Sequence, residues 1–139
     1  MRSEIDIRVP KPTHAYPNES ALQIAVVSHA LNLMVEFPEV ALLHSIPNGD
    51  WRGPGVAKKL KAEGVKPGIP DLCLPVPRGG YHSLYIELKK GRGTVRHDQW
   101  MVMQELHAHG HLVRLINDAA IAVNLIRKYL EGNINRYEP

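Results

Sequence analysis

The chain has 139 residues, 44% hydrophobic and 22% charged, with a formal net charge of +3 at pH 7. That composition is globular, fits one ordinary domain and excludes a chain too polar to bury a core. No stretch approaches the roughly 20 consecutive apolar residues of a membrane span, the polar, proline-broken segment 1–12 is not a secretory signal, and a single cysteine, Cys73, excludes an internal disulfide and any multi-cysteine zinc site. The expected setting is cytoplasmic.

Residues 1–17 carry Pro10, Pro12 and Pro17 and read as an irregular arm. Asn18 suits an N-cap, Ser20 and Gln23 have the form of a capping box, and Leu22, Val26, Ala30 and Leu33 recur at helical spacing. A first helix is expected over 18–35, stopped by Pro38. The apolar run 40–46 reads as a strand, Pro47-Asn48-Gly49-Asp50 as a turn, and 54–63 as a short helix ended by Gly64. After the tight connection Lys66-Pro67-Gly68-Ile69-Pro70, segments 71–76 and 81–89 read as the strands of a hairpin, with Pro77-Arg78-Gly79-Gly80 as its turn. Gly91-Arg92-Gly93 is a bend. Segment 94–109 is helical, with Trp100, Met103 and Leu106 on one face and Gly110 at its end. Then follow a strand over 111–116 and an amphipathic helix over 117–130 through Ile121, Leu125 and Tyr129. This order predicts an α/β domain, a single mixed β-sheet flanked by helices, over 18–131, with a tail at 132–139.

The chemistry concentrates in Ile69-Pro70-Asp71 and Ile86-Glu87-Leu88-Lys89. Strand side chains alternate, so Glu87 and Lys89 share a face, opposite Ile86 and Leu88. Asp71 opens the neighbouring strand, and a hairpin can bring it beside Glu87. Two carboxylates and one ammonium on one sheet surface suit phosphodiester hydrolysis. Mg²⁺, with Mn²⁺ as substitute, takes oxygen ligands and one or two protein carboxylates; Asp71 and Glu87 match that count, and Lys89 beside the metal can orient water or offset developing charge. As a bare pattern this is also what a charged hairpin edge carries. What shifts the balance is the basic, glycine-rich Lys90-Gly91-Arg92-Gly93 that follows the strand. Further basic residues, Arg52, Lys58, Lys59, Lys61, Lys66 and Arg96, would attract a phosphate backbone or simply be solvated. Asn48-Gly49-Asp50-Trp51-Arg52 is either a DNA-contacting loop or a turn with one anchoring tryptophan. His107, His109 and His111 straddle a helix end at unsuitable ligand spacing and are expected to be solvent-exposed. His97 is expected to be solvated, and Cys73 to be a small core residue.

At these residues the sequence resembles the VRR-NUC family of the PD-(D/E)xK nuclease superfamily. The matching text is GVKPGIPDLCLPV followed by LYIELKKGRGTVRHDQWMVMQELHAHGH, with NESALQ, IPNGDWR and KKLKAEG similar to stand-alone phage and bacterial members. The resemblance implies a restriction-endonuclease-like core. Asp71 and Glu87 would be metal ligands, Leu88 would lend its backbone carbonyl, and Lys89 would be the catalytic lysine. Glu19 would add a further acidic group, directly or through water, and Gln99 would orient Lys89 or the substrate, with Gln23 a weaker candidate. Arg52, Lys58, Lys90, Arg92 and Arg96 are the candidate DNA contacts. The resemblance also implies a homodimer that cuts branched DNA, including four-way (Holliday) junctions. Two other functions compete: a nucleic-acid-binding module without catalysis, and a restriction-type nuclease acting on linear duplex.

Overall fold

The computed structural model describes residues 14–47 and 53–137. Helix α1 (Glu19–Leu31) begins at Asn18, whose Oδ1 accepts the Ala21 amide at 2.8 Å. Asn18 rather than Ser20 is therefore the cap, and Gln23 falls beyond the position a capping box uses. The expected helix to residue 35 tightens after Leu31 into a 3-10 turn, Asn32–Val35, which keeps Leu33 in the core.

The strand expected over 40–46 shrinks to β1 (His44–Ser45). A second 3-10 turn, Pro38–Leu42, replaces most of it. Pro38 presets a helical φ at its first position, and the Val40 and Leu43 amides bond back to Phe37 and Val40 carbonyls at 3.1 and 2.9 Å. Val40 alone is driven inward, while Leu42 is left 54% exposed.

Strands β2 (Leu72–Leu74), β3 (Leu84–Leu88) and β4 (Leu112–Ile116) complete one sheet of order β1-β2-β3-β4. The first two pairings are antiparallel and β3 runs parallel to β4, so the fold is the mixed α/β sheet anticipated above. The expected early start of the second hairpin strand at Tyr81 is instead a tight turn, in which Arg78 and Tyr81 exchange backbone bonds at 3.1 and 2.8 Å. Parallel pairing of β3 and β4 needs a crossover, and α3 (His97–Ala108) supplies it. α3 starts three residues later than expected because Arg96 stays extended, its amide bonded to the Gln99 side chain at 3.1 Å. The last helix is α4 (Ala119–Leu130).

Period-two alternation in β3 divides the molecule. Leu84, Ile86 and Leu88 join Leu72 and Leu74 in the main core against Leu22 and Val26 of α1 and Ala122 and Ile126 of α4. The opposite face carries Tyr85, packed with Met103 and Val113 in a smaller cluster beneath α3. Helix α2 (Pro54–Ala62) contributes no buried side chain. No helix among the described residues is long and apolar enough to cross a membrane.

Three polar ties close the structure. Buried Asp118 caps α4 through the Ala120 and Ile121 amides at 2.9 and 3.3 Å and also meets His14 at 3.1 Å. The tail lies across the hairpin turn, where the Arg136 amide bonds to the Gly79 carbonyl at 2.8 Å. Gly79 has φ 58°, and a Cβ there would stand 1.9 Å from the Ile134 carbonyl oxygen, so no other residue fits without displacing backbone. The third is Tyr129, fully buried, whose hydroxyl donates to the Val76 carbonyl at 2.5 Å and anchors α4 to the end of β2. Tyr129→Phe leaves that carbonyl without its donor, and we expect a loss of about 1–2 kcal/mol, read as a lower urea midpoint at unchanged m-value.

Candidate active site

The site grows from the β2–β3 register. Leu72 stands opposite Ile86, and one step outward the antiparallel pairing sets Asp71 opposite Glu87 on the α3 side of the sheet. Asp71 is held there by two contacts: its Oδ2 accepts the Leu88 amide at 2.8 Å, and its backbone carbonyl accepts the Ile46 amide at 2.8 Å. Glu87 is 2% exposed. Its Oε1 accepts Gln99 Nε2 at 2.9 Å and lies 3.7 Å from Lys89 Nζ. Gln99 is itself buried and spends its Oε1 on the Arg96 amide at 3.1 Å. One side chain thus ties the carboxylate on β3 to the first turn of α3.

The surrounding loops are built to hold this geometry. Gly68, φ 88°, presses the segment before Asp71 against the start of α3; a Cβ there would be 2.8 Å from the Asp98 carbonyl oxygen. Gly93 folds back over the Lys89 stem, so that a Cβ would be 3.4 Å from Lys89 Cδ. Asn117 Nδ2 donates to the Gly91 carbonyl at 2.9 Å and ties the bend to the β4–α4 junction. Lys89 continues the parallel ladder through its amide to the Ile116 carbonyl at 3.0 Å, which leaves its side chain in line with Glu87.

The electrostatics are those of an acidic pair short of compensation. Burial first, and then the Asp71 carboxylate, push the Glu87 pKa up to about 8, with a further push from Glu19; Lys89 and Arg96 pull the other way. Glu87 Oε2 is buried with no hydrogen-bond partner among the described residues. A buried carboxylate oxygen left in this way is costly unless a cation meets it. The donors are hard oxygens, and the two facing carboxylates match what Mg²⁺ takes from a protein. Among the described residues no three His, Cys, Asp or Glu side chains stand together as a ready-made cage. The residues present therefore fit a hydrated divalent cation on Asp71 and Glu87 better than a fully protein-enclosed ion.

The structure gathers Asp71, Glu87, Lys89 and Gln99 into one cluster. Glu19 lies exposed in the first turn of α1, where it acts on Glu87 through its field. Gln23 is half-buried on α1, and its side chain makes no hydrogen bond among the described residues. Of the candidate DNA contacts, Lys58 and Arg92 are exposed, Lys90 Nζ donates to the Pro17 carbonyl at 3.2 Å, and Arg96 pairs with Asp98 at 3.1 Å. Arg52 and Trp51, with the turn 48–50, lie outside the described residues. His97 is exposed and stacks on Trp100. The expectation that all three alternating histidines are exposed is corrected at two positions: His109 is exposed, but His107 is half-buried, and His111 is half-buried with its Nδ1 2.6 Å from Ser83 Oγ, because the β4 register brings it beside the start of β3. Cys73 is buried opposite Tyr85; desolvation pushes its thiol up, and the Tyr85 side chain pulls the other way. Sequence reasoning passed over Gly68 and Asp98; only the left-handed turn and the packing of one on the other mark them.

A raised carboxylate pKa has a defined sign in stability. Below about pH 4.5 Glu87 is protonated whether folded or not. Between there and about pH 8 the unfolded chain releases that proton while the folded chain retains it, so stability falls as pH rises, and the loss is complete above pH 8. Glu87→Gln keeps an oxygen for Gln99 Nε2 and removes this penalty. In metal-free protein we expect it to be more stable than the wild type by about 1–2 kcal/mol at pH 8 and above, with the difference shrinking towards pH 4.5, measured by thermal melts in EDTA across that range.

Comparison with known proteins accords with this geometry. A family model for the VRR-NUC domain matches residues 17–119, a span from just before α1 to the first residue of α4. A solved structure described as a VRR_NUC domain protein superposes with a TM-score of 0.70 at 27% identity, covering 82% of this chain and 88% of its own. No curated protein matches the chain. The hairpin that sets Asp71 against Glu87 and Lys89 is the PD-(D/E)xK arrangement in this chain's own residues, and the chain belongs to the VRR-NUC family of the PD-(D/E)xK nuclease superfamily.

Proposed function

We propose that this chain is a Mg²⁺-dependent endodeoxyribonuclease acting on structured DNA, and that it works as a homodimer on four-way junctions. The observation that carries the chemistry is the buried Glu87 carboxylate facing Asp71, with one oxygen unpartnered and Lys89 Nζ 3.7 Å away from the other. When bound there, the cation supplies a polarised phosphate and a water of lowered pKa.

The chain's own groups do the rest. Asp71 and Glu87 provide the negative field that selects a divalent cation and keeps it at the end of β3. Gln99 fixes the Glu87 carboxyl plane by holding Oε1. Lys89 keeps a positive charge beside the carboxylates, where it orients the attacking water and offsets charge as the new oxygen–phosphorus bond forms and an ester oxygen leaves. The Leu88 carbonyl, on the strand between them, is a candidate additional oxygen ligand, and Glu19 would act through water. Mn²⁺, with similar ligand demands, is expected to substitute. The junction reading rests on symmetry. The described residues of one chain hold one such cluster, a four-way junction needs two matched nicks, and a two-fold pair of chains would present two sites in matching orientation.

Labelled four-way junction, matching linear duplex and splayed-arm DNA, incubated with Mg²⁺, Mn²⁺ or EDTA, test this reading. We expect metal-dependent paired nicks on the junction, abolition in Asp71→Ala, and a drop of about 10²–10³-fold in Lys89→Ala, with both variants folded by circular dichroism. A fixed cut sequence in linear duplex would replace the junction reading with a restriction-type one. Binding without hydrolysis in either metal would reduce the protein to a binding module.

A further inference from the structure

Arg96 breaks two local rules at once. It occupies the N-cap of α3, a position that favours Ser, Thr, Asp or Asn. It also sets a cation at the positive end of a helix, where the macrodipole opposes it. The Arg96 side chain donates to no backbone group of α3, and its backbone amide is taken by Gln99 instead. A residue that violates local preference in this way points to function, and its surroundings say which one.

The carboxylates of Glu87 and Glu19 both act on the Arg96 guanidinium, so it borders the metal-binding cluster. Of the two cations that act on Glu87, Lys89 is 8% exposed and committed to the carboxylate, whereas Arg96 is 60% exposed. Arg96 is therefore the one open to a phosphate oxygen that faces solvent, while Lys89 acts from beside the carboxylates. It is also held in place. Asp98 takes Nε at 3.1 Å and Nη2 at 3.4 Å, which leaves Nη1 with no protein partner among the described residues. Its own amide is bound by Gln99, the same side chain that holds Glu87. The Asp98 backbone is pressed in turn by Gly68, in the segment leading to Asp71. A guanidinium without the Asp98 restraint would be drawn onto the acidic cluster and block the cation that belongs there.

We propose that Arg96 is the phosphate-binding residue of the site, donating from its outward edge to a non-bridging oxygen of the DNA phosphate at the metal. Asp98 is its positioning residue, holding the guanidinium off the carboxylates and turned towards the substrate. This rests on the nuclease reading above and assigns the group that engages the phosphate. Guanidinium suits the task because its planar donors match phosphate oxygens.

The test is a double-mutant cycle on Arg96→Ala, Asp98→Ala and the pair, with two readouts. The first is kcat/KM for cleavage of the junction substrate in Mg²⁺. The second is the slope of log binding constant against log salt for the same DNA in Ca²⁺. We expect Arg96→Ala to lower kcat/KM by about 10–100-fold and to reduce the salt slope by about one, while Mn²⁺ still raises its melting temperature as in the wild type. Arg96→Lys, which keeps the charge but not the fork, should restore the salt slope and recover only part of kcat/KM. Asp98→Ala should lower kcat/KM in the wild-type background and have no further effect once Arg96 is alanine. A merely structural Asp98 would lower it equally in both backgrounds, and that outcome overturns its positioning role. An Arg96→Ala protein within twofold of wild type on both readouts overturns the proposal. The binding slope separates this from failure of the nuclease reading: it reports a lost phosphate contact even if wild-type protein cuts nothing.

Discussion

A carboxylate that is almost completely removed from water, and is set against another carboxylate, is the interaction around which this molecule is arranged. Glu87 at the end of β3 faces Asp71 across an antiparallel pair, and its burial holds its proton up to about pH 8. Such a group destabilises an empty protein. It persists because the surroundings allow no relaxation: Gln99 grips one oxygen, the Leu88 amide fixes Asp71, and backbone contacts at Gly68 and Gly93 lock the flanking loops. Under the proposed function, the free energy stored in the metal-free pair is what a divalent cation would recover on binding.

One strand serves two purposes because its side chains alternate. Leu84, Ile86 and Leu88 are committed to the core under α1 and α4. That commitment fixes the register, since a one-residue slip would bury Glu87 and Lys89 among leucines and expose the apolar set. The position of the chemistry is therefore guaranteed by hydrophobic burial on the opposite face of the sheet. The parallel β4 beside it adds the last constraint, continuing the ladder to the Lys89 amide and anchoring the bend through Asn117.

Helix α3 does more than cross from β3 to β4. Its N-cap and first turn carry Arg96, Asp98 and Gln99, and through Gln99 it is bonded directly to the Glu87 carboxylate. A shift of α3 moves Glu87 and Arg96 together. Under the proposed function, cation binding at Glu87 and phosphate alignment at Arg96 would be linked by this one side chain, so each would favour the other. The basic residues on α2 and in the bend are not tied to Glu87 in this way; under the proposed function they would supply attraction rather than alignment.

The amino-acid sequence by itself determined the α/β class, the hairpin and the placing of Asp71, Glu87 and Lys89 on one face of it. Those features follow from periodicity, turn residues and strand alternation, all of them local. It also marked Gln99, through resemblance of the surrounding text. It did not determine that the apolar run 40–46 is mostly a 3-10 turn, because a run of apolar letters records burial without recording backbone conformation; Pro38 and the single inward position of Val40 decided that. Nor did it show His111 bonded to Ser83, which depends on the parallel register of β3 and β4. Arg96 was marked only as one of several candidate DNA contacts; the packing of Gly68 on Asp98 and the hold of Asp98 on Arg96 were illegible, since they exist only where the loop before Asp71 meets the start of α3. Contacts between segments distant along the chain are set by packing, and only the folded structure brings those segments together.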